Sequence, residues 1–112
     1  MTEFLTMREA ADMLGVMPTR IKQLWAEHDL LKVDHNGKPH VPADCLVQDE
    51  YGWVPLPSLR GTIIMLLDAG FTDVEATRWI LSYQDELDER PIDSLRRNRI
   101  RDVRNAILPL SF

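Results

Sequence analysis

Four polar side chains that can donate or accept hydrogen bonds lie within five consecutive residues early in the chain: Thr19, Arg20, Lys22 and Gln23. A guanidinium can donate two parallel hydrogen bonds to guanine, and a carboxamide can pair with adenine in a similar two-point way. A lysine ammonium and a threonine hydroxyl suit phosphate oxygens and base edges. This chemistry is useful only if one rigid element presents the four side chains together.

The sequence predicts such an element as a helix over residues 18–28. Pro18 suits its first turn, because the missing proline N–H is one that a helix start leaves unbonded anyway. Ile21, Leu24 and Trp25 form an i, i+3, i+4 apolar stripe. The stripe directs one face toward a core and leaves the four polar side chains on the other faces.

An earlier helix is predicted from its boundary residues. Thr6-Met7-Arg8-Glu9 has the pattern of a capping box, in which the threonine and glutamate side chains bond to each other's backbone N–H. Gly15 ends this helix, and Met17 is a weak N-cap for the next one. Two short helices joined by a tight turn form a helix-turn-helix, whose second helix fits a major groove about 12 Å wide.

A hairpin, called here the wing (residues 31–42), is predicted directly after the two helices. Its strands are residues 31–33 and 40–42. Asn36-Gly37 marks the turn, since both central residues of a type I′ turn need positive φ. The candidate phosphate partners on the wing are Lys32, His35, Lys38 and His40. The alternative interpretation is a helical hairpin whose polar face is merely solvated.

The rest of the chain is predicted to be mostly helical. A second hairpin pairs residues 46–48 with residues 53–55, and helices follow over residues 59–70 and from a second capping box at Thr72. The predicted fold class is therefore mainly α: a winged helix-turn-helix with a short β-hairpin wing, and a helical C-terminal extension. The predicted domains are residues 1–47, and residues 48–112 with the second hairpin and three helices packed on the first domain.

The last predicted helix runs over residues 91–108. Its apolar residues share one arc: Ile92, Leu95, Ile100, Val103 and Ile107. Arg97, Arg101 and Arg104 cluster on one flank. These arginines could contact DNA phosphate, dock on the acidic segment 85–89 of the same or another chain, or be solvated. The solvated or intramolecular interpretation is favoured, because runs of charged residues on helices are usually solvated or paired within the chain.

The 112 residues carry a net charge of −5 that is unevenly distributed. Residues 1–47 hold five Lys and Arg against seven Asp and Glu, residues 48–95 hold three against ten, and residues 96–112 hold five against one. An acidic total argues against a non-specific nucleic-acid coat, because phosphate contacts need Lys and Arg. It leaves a selective DNA-binding surface open, because the local field matters more than the total.

Two resemblances to known families follow from these motifs. The segment from Leu5 to Val16, the spaced pair Ile21 and Leu24, and the closing Val41-Pro42 resemble the excisionase/MerR-type winged helix-turn-helix over roughly the first 47 residues. Other segments resemble the helical C-terminal region of a small actinobacterial DNA-binding protein family: Leu56-Pro57-Ser58-Leu59, Leu67-Asp68-Ala69-Gly70-Phe71, Arg78-Trp79-Ile80 and Arg90-Pro91-Ile92-Asp93-Ser94-Leu95. The resemblances imply sequence-selective binding of double-stranded DNA and a role in transcription regulation.

A competing interpretation makes the chain a protein-interaction module. The Arg-Pro-Ile-Asp-x-x-Leu step at residues 90–95 also resembles the toxin-binding domains of Xre/ParS-type antitoxins. In that case the C-terminal helices bind a protein partner or form a homodimer, and DNA binding is secondary. Charge reversal at Arg20 and Lys22 separates the two hypotheses, since it would abolish DNA binding and leave partner binding intact.

Catalysis, metal binding and membrane insertion are not expected. His28, His35, His40 and Cys45 match neither a Cys-x-x-Cys knuckle nor an i, i+4 histidine pair, and no phosphate-cradling glycine loop occurs. We therefore expect no enzyme activity and no cofactor. Residues 1–10 lack the apolar stretch of a signal peptide, and the single cysteine fits a reducing compartment. The expected location is the cytoplasm, at the nucleoid, without a membrane partner.

Overall fold

The computed structural model describes residues 3–111. Met1, Thr2 and Phe112, which the predicted domain bounds include, lie outside the described residues. The chain forms two compact units, named here the winged unit (Met1–Pro57) and the helical unit (Ser58–Phe112). Within residues 3–111, no helix has the length and apolar character needed to cross a lipid bilayer.

The winged unit begins with the predicted pair of helices, α1 (Met7–Leu14) and α2 (Pro18–Ala26). The capping box before α1 is confirmed: the Glu9 N–H donates to the Thr6 hydroxyl at 3.1 Å, and the Thr6 N–H donates to the Glu9 carboxylate at 2.8 Å. These bonds lower the pKa of Glu9. Gly15 ends α1 with a φ of 70°, the left-handed conformation that the sequence predicts. Met17 gives α2 no side-chain cap.

The wing is also confirmed, with its strands displaced along the chain. Strand β2 (Val33–His35) pairs with β3 (Lys38–Pro42), and β3 pairs on its other edge with β1 (Phe4–Leu5), so the antiparallel order is β1-β3-β2. Asn36 and Gly37 form the turn with φ values of 54° and 77°. The first wing strand begins at residue 33 instead of 31, and Leu31, which precedes it, is buried.

A second hairpin follows a 3-10 turn at Ala43–Cys45 and consists of β4 (Leu46–Asp49) and β5 (Gly52–Pro55). It belongs to the winged unit, whereas the predicted division at residue 47 placed it with the helices. The core of the winged unit consists of apolar side chains from every element except β2 and β5, together with three leucines of the connecting segments: Leu5, Ala10, Ala11, Ile21, Leu24, Leu30, Leu31, Val41, Cys45, Leu46 and Leu56. Burial of this set positions the exposed face of α2.

The helical unit contains four α-helices among its described residues, where the sequence predicted three. They are α3 (Leu59–Asp68), α4 (Asp73–Leu81), α5 (Pro91–Arg96) and α6 (Ile100–Ile107), followed by a 3-10 turn at Leu108–Leu110. The expectation of one continuous helix over residues 91–108 is therefore wrong. Four of the five apolar residues predicted to share one arc, Ile92, Leu95, Val103 and Ile107, are buried, and Ile100 is half-buried.

Asn98 explains why the last helix breaks. Its φ of 62° is left-handed, a conformation that asparagine tolerates better than most residues. This conformation reverses the chain and lets the Arg99 N–H donate to the Ser94 carbonyl oxygen at 2.8 Å. The bond provides a partner for a carbonyl at the C-terminal end of α5, which in a continuous helix would accept from the N–H four residues later. The break also separates Arg97, the C-cap of α5, from the arginines of α6.

The capping box of α4 leads to a test of local stability. The Glu75 N–H donates to the Thr72 hydroxyl at 3.1 Å, so Thr72→Ala should lower the free energy of unfolding by about 1 kcal/mol. Thr77→Ala is the matched control, because that hydroxyl bonds back to the Asp73 carbonyl within the same helix and caps nothing. Urea unfolding should show the loss for Thr72→Ala alone; equal effects of both variants would contradict the assignment.

Candidate nucleic-acid interface

Helix α2 presents two faces with different chemistry. Ile21 and Leu24 are buried, with 0% and 7% of their surface exposed, so this face is fixed in the core. Thr19, Lys22 and Gln23 are exposed on the remaining surface. The sequence-predicted polar set therefore lies on one short, rigid helix whose orientation the core determines. A helix of this kind can carry hydrogen-bonding side chains into a major groove.

Arg20 belongs to the same surface but already has partners. Its Nη1 donates to Gln23 Oε1 at 2.8 Å and lies 3.6 Å from Glu27 Oε2. The side chains of Arg20 and Glu27 are 42% and 49% exposed, so the contact lies at the surface and not in the core. Glu27 was not among the predicted site residues, although its spacing of seven residues from Arg20 is typical of one helix face.

The end of α2 is tied to the start of the wing. Trp25 Nε1 donates to the Leu31 carbonyl oxygen at 2.9 Å. Lys32 Nζ lies 5.6 Å from the centroid of the Trp25 ring, within the range of a cation–π contact. Lys32 is otherwise exposed. One tryptophan thus positions both the helix end and the first basic residue of the wing.

The tip of the wing brings two more predicted residues together. His35 and Lys38 are directly opposite each other across β2 and β3, and both are exposed. The His35 ring lies 5.2 Å from the rings of Phe4 and His40. His40 differs from the other predicted wing residues, because it is buried and donates through Nδ1 to the Lys38 carbonyl oxygen at 2.9 Å.

The arginines of the helical unit have divided roles. Glu89, on the acidic segment that precedes α5, accepts hydrogen bonds from Arg97 Nη2 at 3.0 Å and from Arg99 Nη1 at 2.8 Å. The buried Ser94 hydroxyl also donates to this carboxylate. Arg101 is exposed on α6, as is Arg104. Arg97 thus has a partner in the acidic segment, in agreement with the favoured intramolecular interpretation, and the helix predicted to carry the three arginines is divided at Asn98.

The bonds to Glu89 have an electrostatic consequence. The Ser94 hydroxyl, followed by Arg97 and Arg99, holds the pKa of the Glu89 carboxyl below its ordinary value. The Arg90 guanidinium lowers the pKa of Asp93 in the same way through two hydrogen bonds of 2.9 Å. Among residues 3–111, no group of three or more His, Cys, Asp and Glu side chains could hold a metal ion.

The two helices, the tight turn at Gly15 and the hairpin of β2 and β3 define a winged helix-turn-helix domain, followed by a helical unit. Residues 1–46 match the family model described as the wHTH domain of DNA-binding protein Rv2175c, and residues 56–106 match the Rv2175c C-terminal domain of unknown function. The two matched segments follow one another along this chain, with the wHTH domain first and the C-terminal domain second.

A solved structure supports the fold over nearly the whole chain. The NMR structure of Rv2175c superposes with a TM-score of 0.82 and 23% sequence identity, covering 98% of this chain and 82% of that one. No curated protein matches the sequence. At this identity the structural likeness establishes the fold, and the function is argued from the residues.

Proposed function

We propose that this chain is a sequence-selective DNA-binding protein that regulates transcription in the cytoplasm, at the nucleoid. The observation that carries the proposal is the exposed face of α2, where Thr19, Lys22 and Gln23 surround Arg20 while Ile21 is buried beneath them. Helix α2 would enter the major groove of double-stranded DNA. The wHTH family match and the excisionase/MerR-type resemblance support this placement.

The side chains of α2 would have distinct tasks. Arg20 can donate two hydrogen bonds to guanine, and Gln23 can contact an adjacent adenine. Lys22 and Thr19 are suited to phosphate oxygens beside the groove. Base contacts would supply selectivity, whereas phosphate contacts would fix the register of the helix on the duplex.

The wing would follow the sugar–phosphate backbone. Lys32, His35 and Lys38 are exposed and can reach phosphate oxygens. We assign His40 a supporting role instead, because it is buried and bonded to the Lys38 carbonyl oxygen. Its ring contacts His35 and thereby supports the exposed tip.

The small number of lysines limits the salt dependence. With Lys22, Lys32 and Lys38 each neutralising one phosphate, the slope of log K against log salt would be about −2.7. Affinity would then fall about 40-fold between 50 and 200 mM salt. This is a shallow dependence for a DNA-binding protein, and it agrees with the acidic net charge of −5.

Fluorescence anisotropy with a labelled random-sequence duplex tests the proposal. Lys38→Glu should weaken binding about 10-fold at 50 mM salt and make the slope shallower by about 1, because one phosphate contact is lost. Arg60→Glu is the matched control, since it makes the same charge change at an exposed position of α3. Equal losses in both variants would contradict a phosphate contact by Lys38, and no salt-sensitive binding by the wild type would favour the protein-interaction hypothesis.

A further inference from the structure

We propose that Glu27 is a specificity-determining residue of the DNA-binding surface, and that it acts by positioning the Arg20 guanidinium. The inference rests on the proposed function and adds a residue with a distinct task. Glu27 follows the last residue of α2 and lies on the same face as Arg20 and Gln23. The three side chains form one exposed cluster, called here the Arg20 cluster.

Within the described residues 3–111, both contacts of the Arg20 cluster are made by Nη1 of the guanidinium. Gln23 Oε1 and Glu27 Oε2 both contact Nη1, at 2.8 and 3.6 Å. A guanidinium has five N–H donors in a fixed planar fork. The edge formed by Nε and Nη2 therefore keeps its two parallel donors, which is the arrangement that guanine O6 and N7 accept. The cluster holds Arg20 in an orientation suited to guanine before DNA arrives.

Glu27 also weakens binding to DNA in general. Its carboxylate is 49% exposed on the surface that would face the duplex, so it repels phosphate oxygens. Without a guanine to hold, Arg20 could turn toward a phosphate, and Glu27 opposes this by keeping the guanidinium beside itself. The carboxylate thus lowers affinity for random sequence and favours a site with guanine opposite Arg20.

Helix stability does not account for Glu27. The C-terminal end of a helix carries a partial negative charge, so a carboxylate there is unfavourable for the helix itself. An exposed ion pair of this kind contributes little to folding. Glu27→Gln should therefore leave the fold intact, which makes the variant a clean probe of binding.

The test begins with selection of preferred sites from a randomised duplex pool. For wild type, the enriched site should contain a guanine whose replacement weakens binding about 5- to 150-fold. Glu27→Gln should bind random duplex about 3- to 10-fold more tightly than wild type, because one interfacial carboxylate charge is removed. It should also reduce discrimination at that guanine about fivefold, since an exposed ion pair of Arg20 is lost.

Asp34→Asn is the matched control, because it removes one exposed carboxylate from the wing away from the Arg20 cluster. It should change affinity for random and selected duplexes by the same factor and leave discrimination unchanged. If wild type binds selectively and Glu27→Gln discriminates at the guanine equally well, the inference about Glu27 is overturned while the proposed function stands. Absence of any DNA binding by wild type would overturn the proposed function and this inference together.

Discussion

Replacing Arg20 by glutamate is expected to weaken binding to a selected duplex by about 100-fold or more, because a two-point guanine contact and a positive charge are lost together. The new carboxylate would lie beside Glu27, which contacts Arg20 at 3.6 Å, and near the phosphates of the groove. Fluorescence anisotropy at 100 mM salt measures the loss. The magnitude exceeds that expected for any single lysine of the wing, since lysine contributes charge alone.

The fold should survive the Arg20 substitution. Among residues 3–111, the side chain of Arg20 contacts the exposed side chains of Gln23 in α2 and of Glu27 just after it, and an exposed ion pair is worth at most about 1 kcal/mol. Circular dichroism and thermal unfolding should therefore match wild type. Arg20→Lys separates charge from geometry: it keeps the charge and loses the planar fork, so random-sequence binding should persist while discrimination falls. If Arg20→Glu binds the duplex with the same affinity as wild type, α2 does not lie in the major groove.

Local signals account for what the sequence predicted well. Both capping boxes, the left-handed Gly15 and the Asn36-Gly37 turn depend on neighbouring residues, and the structure confirms each of them. Strand β1 was not predicted, because two residues show no alternation and their pairing partner lies more than 35 positions away in β3. Strand β1 forms through pairing with a distant strand, and the local sequence pattern does not indicate that pairing.

The break between α5 and α6 shows the limit of periodicity. Ile92, Leu95 and Val103 fit one helical arc whether or not the helix is continuous, so the spacing cannot distinguish the two cases. The break is settled by Asn98 and by the return of Arg99 to Glu89, ten residues earlier. The contact between Arg20 and Glu27 was not predicted for a different reason: their spacing fits one helix face, but spacing alone does not show whether two exposed side chains contact each other.

Removal of the Glu89 carboxylate is the stability prediction with the largest effect. Glu89→Ala should lower the free energy of unfolding by about 3 kcal/mol, because the side chain is the common acceptor for Ser94, Arg97 and Arg99. The Glu89 side chain is 18% exposed and Ser94 is fully buried, so water replaces the bond to Ser94 poorly, whereas water can solvate Arg97, whose side chain is 62% exposed. Urea unfolding monitored by circular dichroism measures the change.

A neighbouring acid provides the control for Glu89. Glu86→Ala removes the same charge from the same acidic segment at an exposed position, and it should change stability by less than about 0.5 kcal/mol. Equal destabilisation by the two variants would mean that the charge of the segment matters and not the convergence of Ser94, Arg97 and Arg99. The loss of stability in Glu89→Gln should lie between those of Glu89→Ala and Glu86→Ala, because the glutamine amide oxygen still accepts hydrogen bonds but carries no charge.

The pH dependence gives the same cluster an independent signature. Since the folded pKa of Glu89 lies below its ordinary value of 4.5, its contribution to stability is complete above that pH and is lost as the pH falls through the lowered pKa. The pKa of Asp93, lowered by Arg90, adds a loss of the same sign. The urea midpoint of wild type should therefore fall on acidification below pH 4.5 more steeply than that of Glu89→Gln. Parallel curves would show that Glu89 titrates alike in the folded and unfolded chain.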